Sequence, residues 1–329
     1  MAARQHFCIA SATALTLLGS TAMLPLTAIA AYPDRPVRLV LPFPPGGPSD
    51  IVARMVSQRL GEGLGQQVVV DNRGGAAGVI AVDIVKNATP DGYTILQATV
   101  GTMSINPSLF PKLAYVPLRD FAPVSLLTET PYVFVINPKL AAKSVAELVA
   151  YAKARPRQLN IGSGGVGTGN HLSGELLKLS AGIDAVHVPY KGSGIAMNDL
   201  MAGQIHMMFV NLLPATPHVK AGRLRALGIS SAKRSAAAPQ IPTIAESGFP
   251  GFSSTSWHGI VVPVKAPAAV VTRLHSELAK ITHAAEFTKR LEVQGTDVIG
   301  STPEAFRKVI TDEAAKWDKV IRTAGIKAE

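Results

Sequence analysis

Cysteine is all but missing, since Cys8 is the only one in 329 residues and it falls in a segment read below as a leader. Past that leader the chain has no thiol nucleophile, no disulfide and no cysteine ligand for a metal. A chain of this length buries a core that needs no covalent staple. Aromatics make up only 5% and the basic residues are scattered rather than run together, which argues against nucleic acid as a partner. No G-x-S-x-G elbow, no H-E-x-x-H and no close histidine pair of metal-ligand type occurs. No metal, cofactor or catalytic residue is therefore assigned. After residue 30 no apolar run is long enough to cross a bilayer.

What is present begins with the leader itself. Arg4 is its only charge, an uncharged apolar and small-residue stretch runs from Phe7 to Leu26, and Ala28-Ile29-Ala30 forms a small-x-small site. This pattern predicts a secretory signal peptide over residues 1–30, cleaved near Ala30, and a periplasmic product. Lys and Arg number 32 against 22 Asp and Glu, and loss of Arg4 leaves an excess of nine positive charges. That sign favours an anionic partner without naming one.

Beyond the leader, apolar runs and helical stripes alternate in the manner of an α/β chain. Val37 to Leu41 reads as a strand, followed by a helix behind a Ser49/Asp50 cap with Ile51, Val52, Met55, Val56 and Leu60 at helical spacing. Gln67–Val70 and Tyr93–Ala98 are predicted strands, with a helix over Gly78–Val85 between them. Phe121 to Ile136 reads as two extended segments around Pro131, as a crossing between lobes would. Strands over 159–161, 186–190, 206–210 and 224–229 alternate with helices over 144–154, 171–179 and 195–201. The Pro/Gly/Ser-rich stretch Pro239–Ser256 is the second crossing. A strand at Gly259–Val262, a helix opened by Pro267 and a final helix opened by Pro303 complete the chain. The expected organisation is two α/β lobes with a cleft between them, lobe 1 from residues 31–130 and 256–329 and lobe 2 from 131–255.

Two strand-to-helix turns carry the chemistry, Phe43–Asp50 (FPPGGPSD) and Gly162–Asn170 (GSGGVGTGN). Each offers unpaired N–H groups and a positive dipole end to an anion. A third turn, Lys191-Gly192-Ser193-Gly194, follows the next strand, and all three fall at carboxyl ends of strands, where ligands collect in open α/β sheets. Neither of the first two turns contains Arg or Lys. A carboxylate held there would rest on backbone N–H groups, the hydroxyls of Ser49, Ser163 and Thr168, bridging water, and Lys191 as the one nearby cation. His171 could donate to the ligand or to the neighbouring lobe, and Phe43 could wall its carbon skeleton. Trp257 and His258 read as packing residues.

Gly162, Gly164 and Gly167 also satisfy G-x-G-x-x-G, but Asp184, the acidic residue at the spacing a ribose would need, precedes its strand instead of ending it. A nicotinamide site is therefore rejected. A hydrolytic triad of Ser49, His171 and Asp50 is the alternative function, an exported hydrolase of small esters or amides.

Tyr32–Pro36, Pro42–Asp50, Asn72–Gly78 (NRGGAAG), Thr89–Tyr93 (TPDGY), the Gly162–Glu175 segment with His171-Leu172, and His187–Gly192 (HVPYKG) together resemble the Bug family. These are periplasmic solute receptors of tripartite tricarboxylate transporters. The resemblance covers essentially the whole chain after the leader and implies a two-lobed type II periplasmic binding protein fold closing on its ligand. It implies ligand-facing positions at Phe43, Gly47, Ser49 and Asp50 in the first turn, and at Gly165, Thr168 and His171 in the second. The implied partners are a small organic anion, a carboxylate, and the membrane permease subunits of such a transporter or a sensor kinase. A monomer is expected, without enzymatic activity. Gly169, Asn170 and the loop after Val210 stand where family members differ.

Overall fold

The computed structural model describes residues 1–2 and 32–327. The predicted signal peptide and Cys8 lie outside the described residues. Strand β1 (Val37–Leu41) runs into α1 (Pro48–Leu64), β2 (Val68–Asn72), α2 (Val79–Lys86) and β3 (Thr94–Thr99). A single wide π-type turn, Gly101–Ile105, then leads into α3 (Asn106–Leu109) and α4 (Pro117–Asp120). Strand β4 (Phe121–Ile136) is followed by α5 (Val145–Lys153), β5 (Asn160–Ser163), α6 (Gly169–Ala181), β6 (Val186–Pro189) and α7 (Ser193–Ala202). Then come β7 (Met207–Asn211), α8 (Leu212–Lys220), β8 (Arg225–Ile229), β9 (Thr255–Pro263), α9 (Ala268–Thr282), α10 (Ala285–Glu292), β10 (Asp297–Val298) and α11 (Pro303–Thr323).

The strands line up in the order β2-β1-β3-β9-β4-β7-β5-β6, with β8 and β10 also paired to β4. Parallel pairing joins β1 to β2 and β3, and β5 to β6 and β7, whereas β9 and β4 run antiparallel to their neighbours. Strand β4 is one continuous strand of 16 residues where two segments were expected. It changes partner at the anticipated proline: Pro131 opposes Thr255 of β9, and the next residue, Tyr132, opposes Asn211 of β7. Proline has no N–H to give a ladder, and it is tolerated here because the pairing with β9 ends at that rung.

Alternation along the strands assigns the two faces of each half. Leu39, Leu41 and Ile95 pack with α1 and α9, while Val40, Leu96 and Ala98 turn to the side that holds Trp257, Phe306 and Trp317. On the other half, Phe134, Ile136, Met207 and Phe209 share one core and Val133, Val135, Met208 and Val210 the other. Trp257 packs its ring edge on against Phe306 of α11, centroids 5.3 Å apart, which is the packing role expected for it.

Several local readings are corrected. Helix α1 is capped by Gly47 with Pro48 in its first turn, and neither Ser49 nor Asp50 is the cap. Proline pre-set for the first helical position starts the helix earlier than a polar cap would. Strand β9 begins at Thr255, inside the stretch read as a crossing, because β4 extends its ladder that far. The segment after Val210 is no loop: α8 forms despite Pro214 and Pro217, and Leu212 and Ala215 are buried beneath it.

Candidate functional site

Between the first and second turns lies a cavity of about 730 Å³. The turn after β1 delivers Phe43 to it, and the first turn of α1 delivers Ser49. From the other half, the segment after β5 contributes Gly165 through Gly169, and the end of β6 contributes Pro189, Tyr190 and Lys191. Its remaining walls include Ile105, Asn106, Leu109 and Phe110 from the π-type turn and α3, together with Tyr132, Ser256 and His258.

Five of the nine residues selected from sequence line this cavity: Phe43, Ser49, Gly165, Thr168 and Lys191. Gly47, Asp50, Ser163 and His171 do not, and three of these side chains hold the turns from behind. Asp50 is buried and accepts hydrogen bonds from the Gly46 N–H (3.0 Å), Arg54 Nε (2.9 Å) and Asn72 Nδ2 (3.0 Å). The bond from Arg54, helped by those from Gly46 and Asn72, holds the Asp50 carboxyl down at about 2 against the opposing effect of burial. Ser163 is fully buried, with Oγ accepting from the Gly165 N–H (3.1 Å) and 2.7 Å from His187 Nε2.

His171 is turned away from the cavity. Its Nδ1 accepts the Gly167 N–H (3.1 Å), which leaves the proton on Nε2, and its ring stacks on His187 at 3.8 Å. Burial first, then the neighbouring His187 and Lys178, depress its pKa to about 3. The ring is thus a neutral brace for the loop at working pH.

The glycines of the second turn are explained by shape. Gly165 and Gly167 have φ of +133° and +75°, and a Cβ on Gly167 would fall 2.7 Å from Leu109 Cδ2. The loop from one half therefore touches α3 of the other. Thr168 caps α6, accepting the His171 N–H, and its hydroxyl donates to Gly165 O (2.6 Å). Among the described residues, the N–H groups of Ser49, Val166 and Gly169 meet no acceptor of the protein, and all three residues line the cavity. Helix geometry leaves the first-turn donors of Ser49 and Gly169 unpaired, with the positive dipole end beside them, while Val166 belongs to the loop that leads into α6.

The proposed triad does not assemble. Ser49 Oγ lies 2.7 Å from His258 Nε2 and not beside His171, while the other ring nitrogen, Nδ1, faces Thr128 Oγ1 at 3.2 Å. A hydroxyl stands where a triad has its orienting carboxylate. Burial also lowers His258 to about 4, so it is a neutral imidazole.

His258, Tyr132, Asn106 and the Ile105–Phe110 wall were missed from sequence. His258 could have been found had β9 been started at Thr255, because alternation then sends Ser256 and His258 to one face and Trp257 to the other. Tyr132 is buried, and a Cβ on Gly169 would come 2.2 Å from its hydroxyl, so the start of α6 rests directly on it.

Residues 52–326 match the tripartite tricarboxylate transporter family receptor, TctC. The chain belongs to that family. Among curated relatives, Protein BugT of Bordetella pertussis is 36% identical over 297 residues, 90% of this chain and 91% of BugT. Among solved structures, R. palustris Rpa4515 with adipate is 37% identical, with a TM-score of 0.76 over 90% of this chain and 99% of that one. MatC (Rpa3494) from Rhodopseudomonas palustris with bound malate is 32% identical, with a TM-score of 0.72 over 88% and 100%. The α/β architecture is that of the periplasmic binding proteins of this family, as the sequence resemblance implied.

Proposed function

We propose that this protein is an extracytoplasmic, non-enzymatic receptor that takes one small organic carboxylate into the 730 Å³ cavity, closes on it and presents the closed form to the membrane permease of a tripartite tricarboxylate transporter. The observation that carries this reading is the convergence on one cavity of free first-turn N–H donors from α1 and α6, with Lys191 beside them. Relatives that hold adipate and malate support the ligand class.

Residues 31–130 with 256–329 act as one lobe and 131–255 as the other, a division supported by the partner change of β4 at Pro131 and Tyr132. Phe43, Ser49, Gly165, Thr168 and Lys191 meet the ligand. Gly47, Asp50, Ser163 and His171 fix the two turns that present the donors. Closure is a population shift and requires the ligand to touch both lobes. Delivery by the leader over residues 1–30 puts the mature receptor in the periplasm.

Isothermal titration of the purified protein against a panel of mono-, di- and tricarboxylic acids tests the proposal. Saturable one-to-one binding by at least one acid is expected. A folded protein that binds none of them would overturn it.

A further inference from the structure

Charge and apolar surface are distributed unevenly around the cavity. Among the described residues, Lys191 is the only Lys or Arg that lines it, and no Asp or Glu does. The free N–H donors of Ser49, Val166 and Gly169 lie beside the two turns, so one anionic headgroup is provided for there. The walls also include the apolar side chains of Val100, Ile105, Leu109 and Phe110, three of them buried in the core of the first half. Phe43 and Val166, one from each turn, face the same space although each keeps about two-fifths of its surface exposed (39% and 40%). Two large apolar side chains left uncovered across one cavity form a surface that an apolar ligand body would cover.

Resting on the proposed receptor function, we infer that the ligand is a monocarboxylate with an apolar body of about six to ten heavy atoms, a size the cavity admits with water to spare. A second carboxylate would lose part of its hydration against Ile105, Leu109 and Phe110, and among the described residues no second guanidinium or ammonium lines the cavity to replace it. Three further polar side chains of the lining are neutral. Asn106 gives its amide to the Ala77 carbonyl (3.0 Å), and the Tyr132 hydroxyl and the His258 imidazole are uncharged at working pH. These suit a hydroxyl or a ring edge better than an anion.

Hexanoate and adipate have the same six-carbon chain and differ only in the second carboxylate, which makes them the deciding pair. Titration of the purified protein with each, and with benzoate, malate and citrate, is expected to give hexanoate or benzoate at least tenfold tighter than adipate, malate and citrate. Adipate equal to or tighter than hexanoate would overturn the inference while leaving the receptor reading intact. Absence of binding by every acid would instead strike that reading. In a second arm, Phe110→Asn should weaken hexanoate at least fivefold and leave acetate unchanged. Equal loss for both probes would show that the wall does not contact the ligand body.

Discussion

Ser49 Oγ lies 2.7 Å from His258 Nε2, a bond that ties the first turn of α1 to the middle of β9. Ser49→Ala removes it and leaves a buried imidazole nitrogen without that partner. The unmet hydrogen bond costs about 1–3 kcal/mol. Urea denaturation should report a lower midpoint with an unchanged slope, and ester substrates should show no turnover in either protein. Ester hydrolysis abolished by Ser49→Ala would restore the hydrolase.

Asp50 accepts three hydrogen bonds, one of them charged, that pin the turn between β1 and α1. Asp50→Asn keeps the size but turns an N–H₂ toward one of those donors. A loss of about 1.5–3 kcal/mol is expected from thermal or chemical unfolding. An unchanged melting temperature would mean that the turn is held by other contacts.

His171, His187 and His258 are all depressed by burial, to about 3, 4 and 4. Unfolding lets each return to about 6.5, so between these limits the unfolded chain binds more protons than the folded one. Stability is therefore complete above roughly pH 6.5 and declines as the pH falls toward 4. Melting temperatures recorded across this window should drop on acidification, and His187→Asn should make the decline shallower. A profile that rises toward acid would contradict the neutral stack of His171 on His187.

Gly167 combines a left-handed backbone with a close approach to Leu109. Gly167→Ala pays for the backbone conformation, about 1–2 kcal/mol, and must also displace Leu109. Binding in calorimetry should weaken beyond what the loss of stability explains, since the loop it distorts carries Val166 and Gly169. Full affinity in the variant would place the ligand elsewhere.

Lys191 is exposed at the cavity wall, so its contribution is modest and sensitive to salt. Lys191→Gln should lower affinity for a carboxylate by about two- to fivefold, in line with an exposed ion pair. The difference should shrink as ionic strength rises. A loss of a hundredfold would make Lys191 the main anchor in place of the backbone donors.

The sequence made the alternation of strands and helices readable because each core strand, such as Val37–Leu41, is bounded by glycine, proline or a charged stripe. Both glycine turns were legible for the same reason, and five of their neighbouring candidates meet at one cavity. Side-chain direction was not legible. His171 and Ser163 have the residue types of ligand contacts, yet each is drawn inward by a partner 16 to 24 positions away or by its own loop. The Ile105–Phe110 wall carries no motif at all. Its apolar residues look like any core helix until the fold sets them opposite Gly167.

Strand β4 belongs to both sheets, with β9 on one stretch and β7 and β8 on the next. Any rotation of one half against the other is thus a torsion of an unbroken ribbon, concentrated where the rungs change hands at Pro131 and Tyr132. Because Tyr132 also lines the cavity and supports the start of α6, the proposed closure would turn about a residue that belongs to the ligand chamber. In that closure, whatever occupies the chamber would bear directly on its axle, with no relay in between.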